Sequence, residues 1–103
     1  MSAPREAQVV EAIRREIERR GGYLVKTQPG RGVRAGTPDV LGCVDGRCVA
    51  VEAKRPGRES QTTALQRAEL EKWRRAGAVV GVVSSAEALA DLLDDVDVEA
   101  GPS

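Results

Sequence analysis

The chain has 103 residues, 41% hydrophobic and 31% charged, with Tyr23 and Trp73 as its only aromatics; this is the balance of one globular α/β-sized domain with an aliphatic core, read as residues 1–98 with a frayed tail at 99–103. Histidine is absent, which excludes an imidazole base and every metal site built on imidazole. The formal net charge is zero, yet all 16 Lys and Arg fall in residues 1–85 beside 10 acids, while residues 86–103 hold 6 acids and no base.

"REAQVVEAIRREIERRGG" carries Val9, Val10, Ile13 and Ile17 at helical spacing and ends on Gly21-Gly22, so it predicts an amphipathic first helix. "YLVKT" predicts a short strand, and "QPGRGVRAGTP" a loop rich in Gly, Pro and Arg. Apolar runs on either side of Asp45-Gly46 predict a tight β-hairpin with arms near Asp39–Val44 and Arg47–Lys54. After the polar "RPGRESQ", a helix is expected from about Thr62 to Arg75, closed by Gly77. "AVVGVVS" reads as a buried strand, and "SAEALADLLDDV" as a last helix capped by Ser84 or Ser85. The order αβββαβα, with an antiparallel hairpin and a helical crossover into the last strand, predicts a mixed sheet of about four strands flanked by helices.

The hairpin carries the chemistry. With Asp45-Gly46 as the two turn residues, Val44 faces Arg47, Cys43 faces Cys48, Leu41 faces Ala50 and Asp39 faces Glu52. Two carboxylates directly opposed lie about 4.5–5.5 Å apart at Cβ and repel unless something neutralises them. Lys54, two residues beyond Glu52, projects from the same face. Such a pair is a site for a hard divalent cation, and Mg²⁺ needs only one or two protein carboxylates when substrate phosphate supplies further oxygens. A cation so placed acidifies water for attack on phosphorus, and Lys54 can orient that water or stabilise charge on the phosphate.

At this point the motifs resemble a known family. "TPDV" (Thr37–Val40) followed by "VEAK" (Val51–Lys54) is similar to the PD-(D/E)xK nuclease signature. The series "REAQVVEAI", "RAGTPDVLG", "VAVEAKRPG" and "LQRAELEKWRRAGAVVGVV", in that order, resembles the VRR-NUC domain over about residues 5–84. The resemblance implies a restriction-endonuclease-like fold, hydrolysis of DNA phosphodiesters with Mg²⁺ or Mn²⁺, and similarity to small dimeric Holliday-junction resolvases. It also implies Asp39, Glu52 and the backbone carbonyl of Ala53 as metal ligands, and Lys54 as catalytic lysine.

A first-helix glutamate belongs to that pattern. At about 100° per residue, Val9, Val10, Ile13 and Ile17 all lie within about 60° of Glu6, whereas Glu11 lies about 140° away, so Glu6 is expected on the buried face beside the site. Gln66 lies within about 40° of Leu70 and so faces inward, where the resemblance expects a glutamine near the lysine. The alternatives are a solvated helix end for Glu6 and a backbone-bonded glutamine near a helix start for Gln66.

Lys26, Arg31, Arg34, Arg55 and Arg58 fall in loops or strand ends next to the acids and are expected to touch DNA phosphates, which position the duplex without reading sequence. Cys43 and Cys48 are expected as two buried thiols, because no secretory segment marks an oxidising compartment. Trp73 is expected in the core or at a contact between copies. No apolar run approaches the ~20 residues of a membrane helix, and the expectation is a cytoplasmic protein without a nucleotide cofactor. The domain is small for branched DNA, which favours a homodimer. The competing readings are a non-catalytic DNA-binding or assembly module that retains the nuclease fold, and a small interaction protein using its acidic tail.

Overall fold

A computed structural model describes residues 4–28, 30 and 32–99, the last four as backbone only. The chain runs α1 (Glu6–Arg19), β1 (Tyr23–Lys26), β2 (Val40–Val44), β3 (Arg47–Ala53), a 3₁₀ turn (Glu59–Gln61), α2 (Ala64–Arg75), β4 (Val79–Val83) and α3 (Ala86–Glu99). It is an α/β fold with one mixed sheet in the order β1-β2-β3-β4, in which β3 and β4 are parallel and the other pairs antiparallel. No helix among the described residues is long and apolar enough to cross a membrane.

Alternation along the strands divides the sheet into two faces. Leu24, Val40, Val44, Val49, Val51, Ala53, Val79 and Val83 point to one face and form a single buried cluster with Val9, Val10, Ile13 and Ile17 of α1 and Leu89 and Leu93 of α3. Ala50 and Glu52 alternate to the opposite face, where α2 lies against β3 and β4. Because α2 spans only those two strands, the same face of β1 and β2 stays open: Tyr23 is 70% and Val25 47% exposed.

Local chemistry explains where each element starts. The Arg5 N–H donates to Gln8 Oε1 at 2.7 Å ahead of α1. Thr63 and Gln66 form a reciprocal capping box at the start of α2: Thr63 Oγ1 accepts from the Gln66 N–H at 3.1 Å, and Gln66 Oε1 accepts from the Thr63 N–H at 2.9 Å. Ser85, rather than Ser84, caps α3, its Oγ accepting from the Ala88 N–H at 3.0 Å. In the hairpin, Asp45 has φ 51° and Gly46 φ 78°, the two left-handed residues of a type I′ turn.

The turn sets the expected register: Val44 pairs with Arg47, Cys43 with Cys48, Leu41 with Ala50. Three expectations need correction. Cys43 and Cys48 are exposed free thiols, not buried ones, because they sit on the face that α2 leaves open. β4 is an edge strand whose central Val80, Gly81 and Val82 are half-buried, so its apolar run reflects cover by α3 and α2 rather than a central place. α3 runs to Glu99, three residues past the Val96 that ends the stretch expected as the last helix. Trp73 is half-buried on α2.

Candidate active site

The site forms where the β1–β2 loop returns to the sheet beside the end of β3. Thr27, just past β1, clamps that return: its N–H donates to the Asp39 carbonyl at 2.8 Å and its Oγ1–H to the Pro38 carbonyl at 2.8 Å. Asp39 lies one residue before β2, outside the strand ladder, which ends at Val40 opposite Val51. The two acids are nevertheless joined, through the backbone. The Asp39 N–H donates to Glu52 Oε1 at 2.9 Å, and the Ala53 N–H donates to Asp39 Oδ2 at 2.9 Å. This cross-link replaces the simple opposition expected from the register.

Glu52 is fully buried, and its Oε2 has no hydrogen-bond partner. A buried carboxylate oxygen without a donor is costly in the charged form. Its pKa is accordingly pushed up to about 7, first by burial and then by the negative charge of Asp39; the Asp39 N–H and the Lys54 charge oppose the rise, and Glu6 adds to it.

Lys54 is half-buried, with its N–H on the Val83 carbonyl at 3.0 Å and its Nζ 3.4 Å from Gln66 Oε1. Gln66 therefore caps its own helix and holds the lysine with one oxygen, so both readings of this residue describe its geometry. Glu6 is exposed, against the expectation of burial. The azimuth drawn from the helix period is sound, since Val9, Val10, Ile13 and Ile17 are all buried, but Glu6 sits in the first turn, before α1 reaches the sheet. It still faces the site, lining a hollow of about 160 Å³ with Lys54, Arg55, Arg58 and Gln61. A second hollow, of about 200 Å³, adjoins Asp39 and Gln66 and is lined by Thr27, Arg34, Gly36 and Thr37.

Of the expected phosphate contacts, Lys26, Arg34, Arg55 and Arg58 are exposed, and Arg31 lies outside the described residues. The Arg34 guanidinium stands 3.6 Å from Glu69 Oε1, an oxygen that also accepts from Lys72 at 2.9 Å. Lys26 Nζ donates to the Thr27 carbonyl at 3.2 Å, so it lies at the same strand end as the clamp. A larger surface hollow, about 830 Å³ between the starts of α1 and α3, carries neither acid nor lysine of the site.

Sequence reasoning overlooked three supports. Thr27 pairs with Asp39 only once β1 is known to lie beside β2, since the ladder Lys26 to Val40 continues to that pair. Glu59 accepts from Ser84 Oγ at 2.6 Å and so ties the loop of Arg55 and Arg58 to the end of β4. Glu69, buried on α2, anchors Arg34. The spacing of Arg and Glu in the sequence gives no signal for that pairing.

Among the described residues, no group of three or more His, Cys, Asp or Glu side chains could hold a metal ion. Asp39 and Glu52 nonetheless fit one: the orphaned Glu52 Oε2 lacks a positive partner, and all-oxygen donors suit a hard cation that retains most of its waters.

No family model matches the chain, and no curated protein does either. A solved structure described as a VRR_NUC domain is similar over 94% of this chain and 97% of its own length, at 29% identity and a TM-score of 0.63. With Asp39, Glu52, Lys54 and Gln66 brought together in the order of the motifs, the chain has a restriction-endonuclease-like α/β fold similar to that of a VRR_NUC domain.

Proposed function

We propose that the protein is a metal-dependent DNA endonuclease that hydrolyses phosphodiester bonds, acts on branched DNA such as four-way junctions, and works as a homodimer. The observation that carries this reading is the buried, unpartnered Glu52 Oε2, held beside Asp39 by two backbone hydrogen bonds. A buried carboxylate oxygen with no donor, beside a second acid, is the chemistry a hard divalent cation would satisfy.

Asp39 and Glu52, with the Ala53 carbonyl, would hold Mg²⁺ or Mn²⁺, which supplies Lewis-acid activation of water and neutralises charge on the phosphate. The chain's own residues do the rest. Lys54 Nζ, braced by Gln66 Oε1, donates to the phosphate oxygen on which charge develops. Glu6, at the rim beside Lys54, accepts a hydrogen bond from the incoming water and aims it. Arg55 and Arg58 on one side and Arg34 and Lys26 on the other grip flanking phosphates, so binding weakens steeply with salt. The molecule is about 40 Å in its longest dimension, the length of roughly 12 base pairs, so symmetric cleavage of a branched substrate calls for two copies.

The test is titration with Mg²⁺ and Mn²⁺ against duplex, single-stranded, flap and four-way-junction DNA, comparing the wild type with Asp39→Ala, Glu52→Ala and Lys54→Ala. Cleavage in the wild type alone, strongest on the junction, is expected. Equal activity in all four proteins would refute the site. Binding without cleavage in either metal would instead support a DNA-binding module that keeps the fold. Sedimentation of the protein with and without junction DNA reads the dimer.

A further inference from the structure

We propose that Cys43 and Cys48 are a reversible dithiol–disulfide site on the open face of the sheet, closing within one chain. The inference is independent of the nuclease reading. It rests on three observations. Both thiols are free and exposed. They are directly paired across β2 and β3. They lie on the face that α2 does not cover, next to Tyr23, which pairs with Cys43 from β1.

The turn decides which kind of pair they are. Asp45 and Gly46, both at positive φ, make a two-residue type I′ loop, so Val44 and Arg47 close it as the hydrogen-bonded pair. Pairs alternate along an antiparallel ladder, so Cys43 and Cys48 form the non-hydrogen-bonded pair, with Cα atoms about 4.5 Å apart and side chains at their closest. That separation falls inside the disulfide window of about 4.4–6.8 Å.

The oxidant class is a peroxide. One thiol attacks the O–O bond, giving a sulfenic acid and one water. The second thiol displaces hydroxide from that sulfur, forming the S–S bond and a second water. Each sulfur loses one electron in net, and the two peroxide oxygens take up both. A dithiol reductant reverses the step through a mixed disulfide, and the exposed position leaves both sulfurs open to it. Effective concentrations across a short connection reach about millimolar, so at micromolar protein intramolecular closure outruns dimerisation by about 10²–10³-fold.

The experiment treats reduced full-length protein with hydrogen peroxide at near-equimolar dose, then measures free thiols, intact mass and mobility on a non-reducing gel. Both thiols should disappear together, with a mass loss of about 2 Da, a monomeric band, and full recovery on adding dithiothreitol. Cys43→Ser, at an exposed position, should still fold by circular dichroism, keep one thiol, and show oxygen addition or a linked dimer in place of the mass loss. Independent oxygen addition at both cysteines of the wild type, or a linked dimer as its main product, would overturn the proposal.

Discussion

Replacing Glu52 by Gln should stabilise the metal-free protein while removing the proposed cation site. In the folded chain the Glu52 carboxyl is raised from 4.5 to about 7, chiefly by burial and by the Asp39 charge. A raised acid holds its proton in the folded state after the unfolded chain has released it. Its contribution is therefore intact below about pH 4.5 and is lost as pH climbs through about 7. At about 1.4 kcal/mol per tenfold in proton affinity, the charged form costs the fold about 3 kcal/mol above pH 8. Gln keeps the shape and the acceptor for the Asp39 N–H but carries no charge. Urea unfolding in the presence of EDTA, at pH 4.5 and pH 8.5, reads the difference. The expected gap between variant and wild type is larger by about 3 kcal/mol at the higher pH, or on the order of 10 °C in Tm. Comparing the two pH values cancels any cost of the new amide that does not depend on pH. Mg²⁺ at about 100 times its Kd should then restore about 2.7 kcal/mol to the wild type and nothing to the variant. An identical gap at both pH values would refute the reasoning, because it would mean that the buried carboxylate carries no charge penalty.

The remaining predictions concern the supports. Thr27→Val removes the hydroxyl that donates to the Pro38 carbonyl at 2.8 Å; it should cost about 1 kcal/mol by urea unfolding and reduce cleavage more than DNA binding, since the clamp positions Asp39. Gly36→Ala should destabilise by about 2 kcal/mol or more, read the same way: φ is 84°, and the added Cβ would stand 2.8 Å from Leu65 Cγ and 3.0 Å from the Leu65 carbonyl oxygen. Glu16 is held down to about 2, first by its hydrogen bond from Arg19 and then by that from Arg20, so its contribution is present above pH 4.5 and is lost as pH falls toward 2. Glu16→Gln should therefore lie below the wild type at pH 6 and converge with it in acid, a convergence that thermal scans from pH 6 to pH 2.5 would show or exclude.

What could be read from the sequence was whatever short-range geometry decides. The Asp45-Gly46 turn fixes hairpin register by counting, because a slip of one residue would send the whole Val49–Val51–Ala53 row out of the core. The azimuth of α1 followed from its period in the same way. Depth did not: a wheel places Glu6 around the axis but says nothing of where the sheet begins along it, and the first turn overhangs. Nor does residue type reveal how many strands a helix covers. Cys43 and Cys48 look like core residues by composition, yet α2 stops over β3 and β4. Thr27 and the Glu59–Ser84 tie were hidden for a related reason, since each joins segments whose adjacency depends on strand order.

The buried acid also explains why the site is built on β3 rather than on one of its loops. β3 is paired on both sides, and Val49, Val51 and Ala53 alternate into the cluster beneath α1 and α3, so the backbone that carries Glu52 cannot rotate it toward water. On a loop, a carboxylate with an unmet oxygen would swing out and be hydrated, and the penalty would vanish together with the affinity for a cation. Here three buried apolar neighbours in alternation hold the charge in place, and Thr27 and the Ala53 N–H hold its partner against it. Any affinity of the proposed site for a cation would therefore depend on the stiffness of the aliphatic packing as well as on the two acids. Trimming Val51 to Ala should therefore weaken the proposed Mg²⁺ binding through a residue that faces away from Glu52, and calorimetric titration of folded V51A against the wild type would expose an affinity that survives a loosened strand.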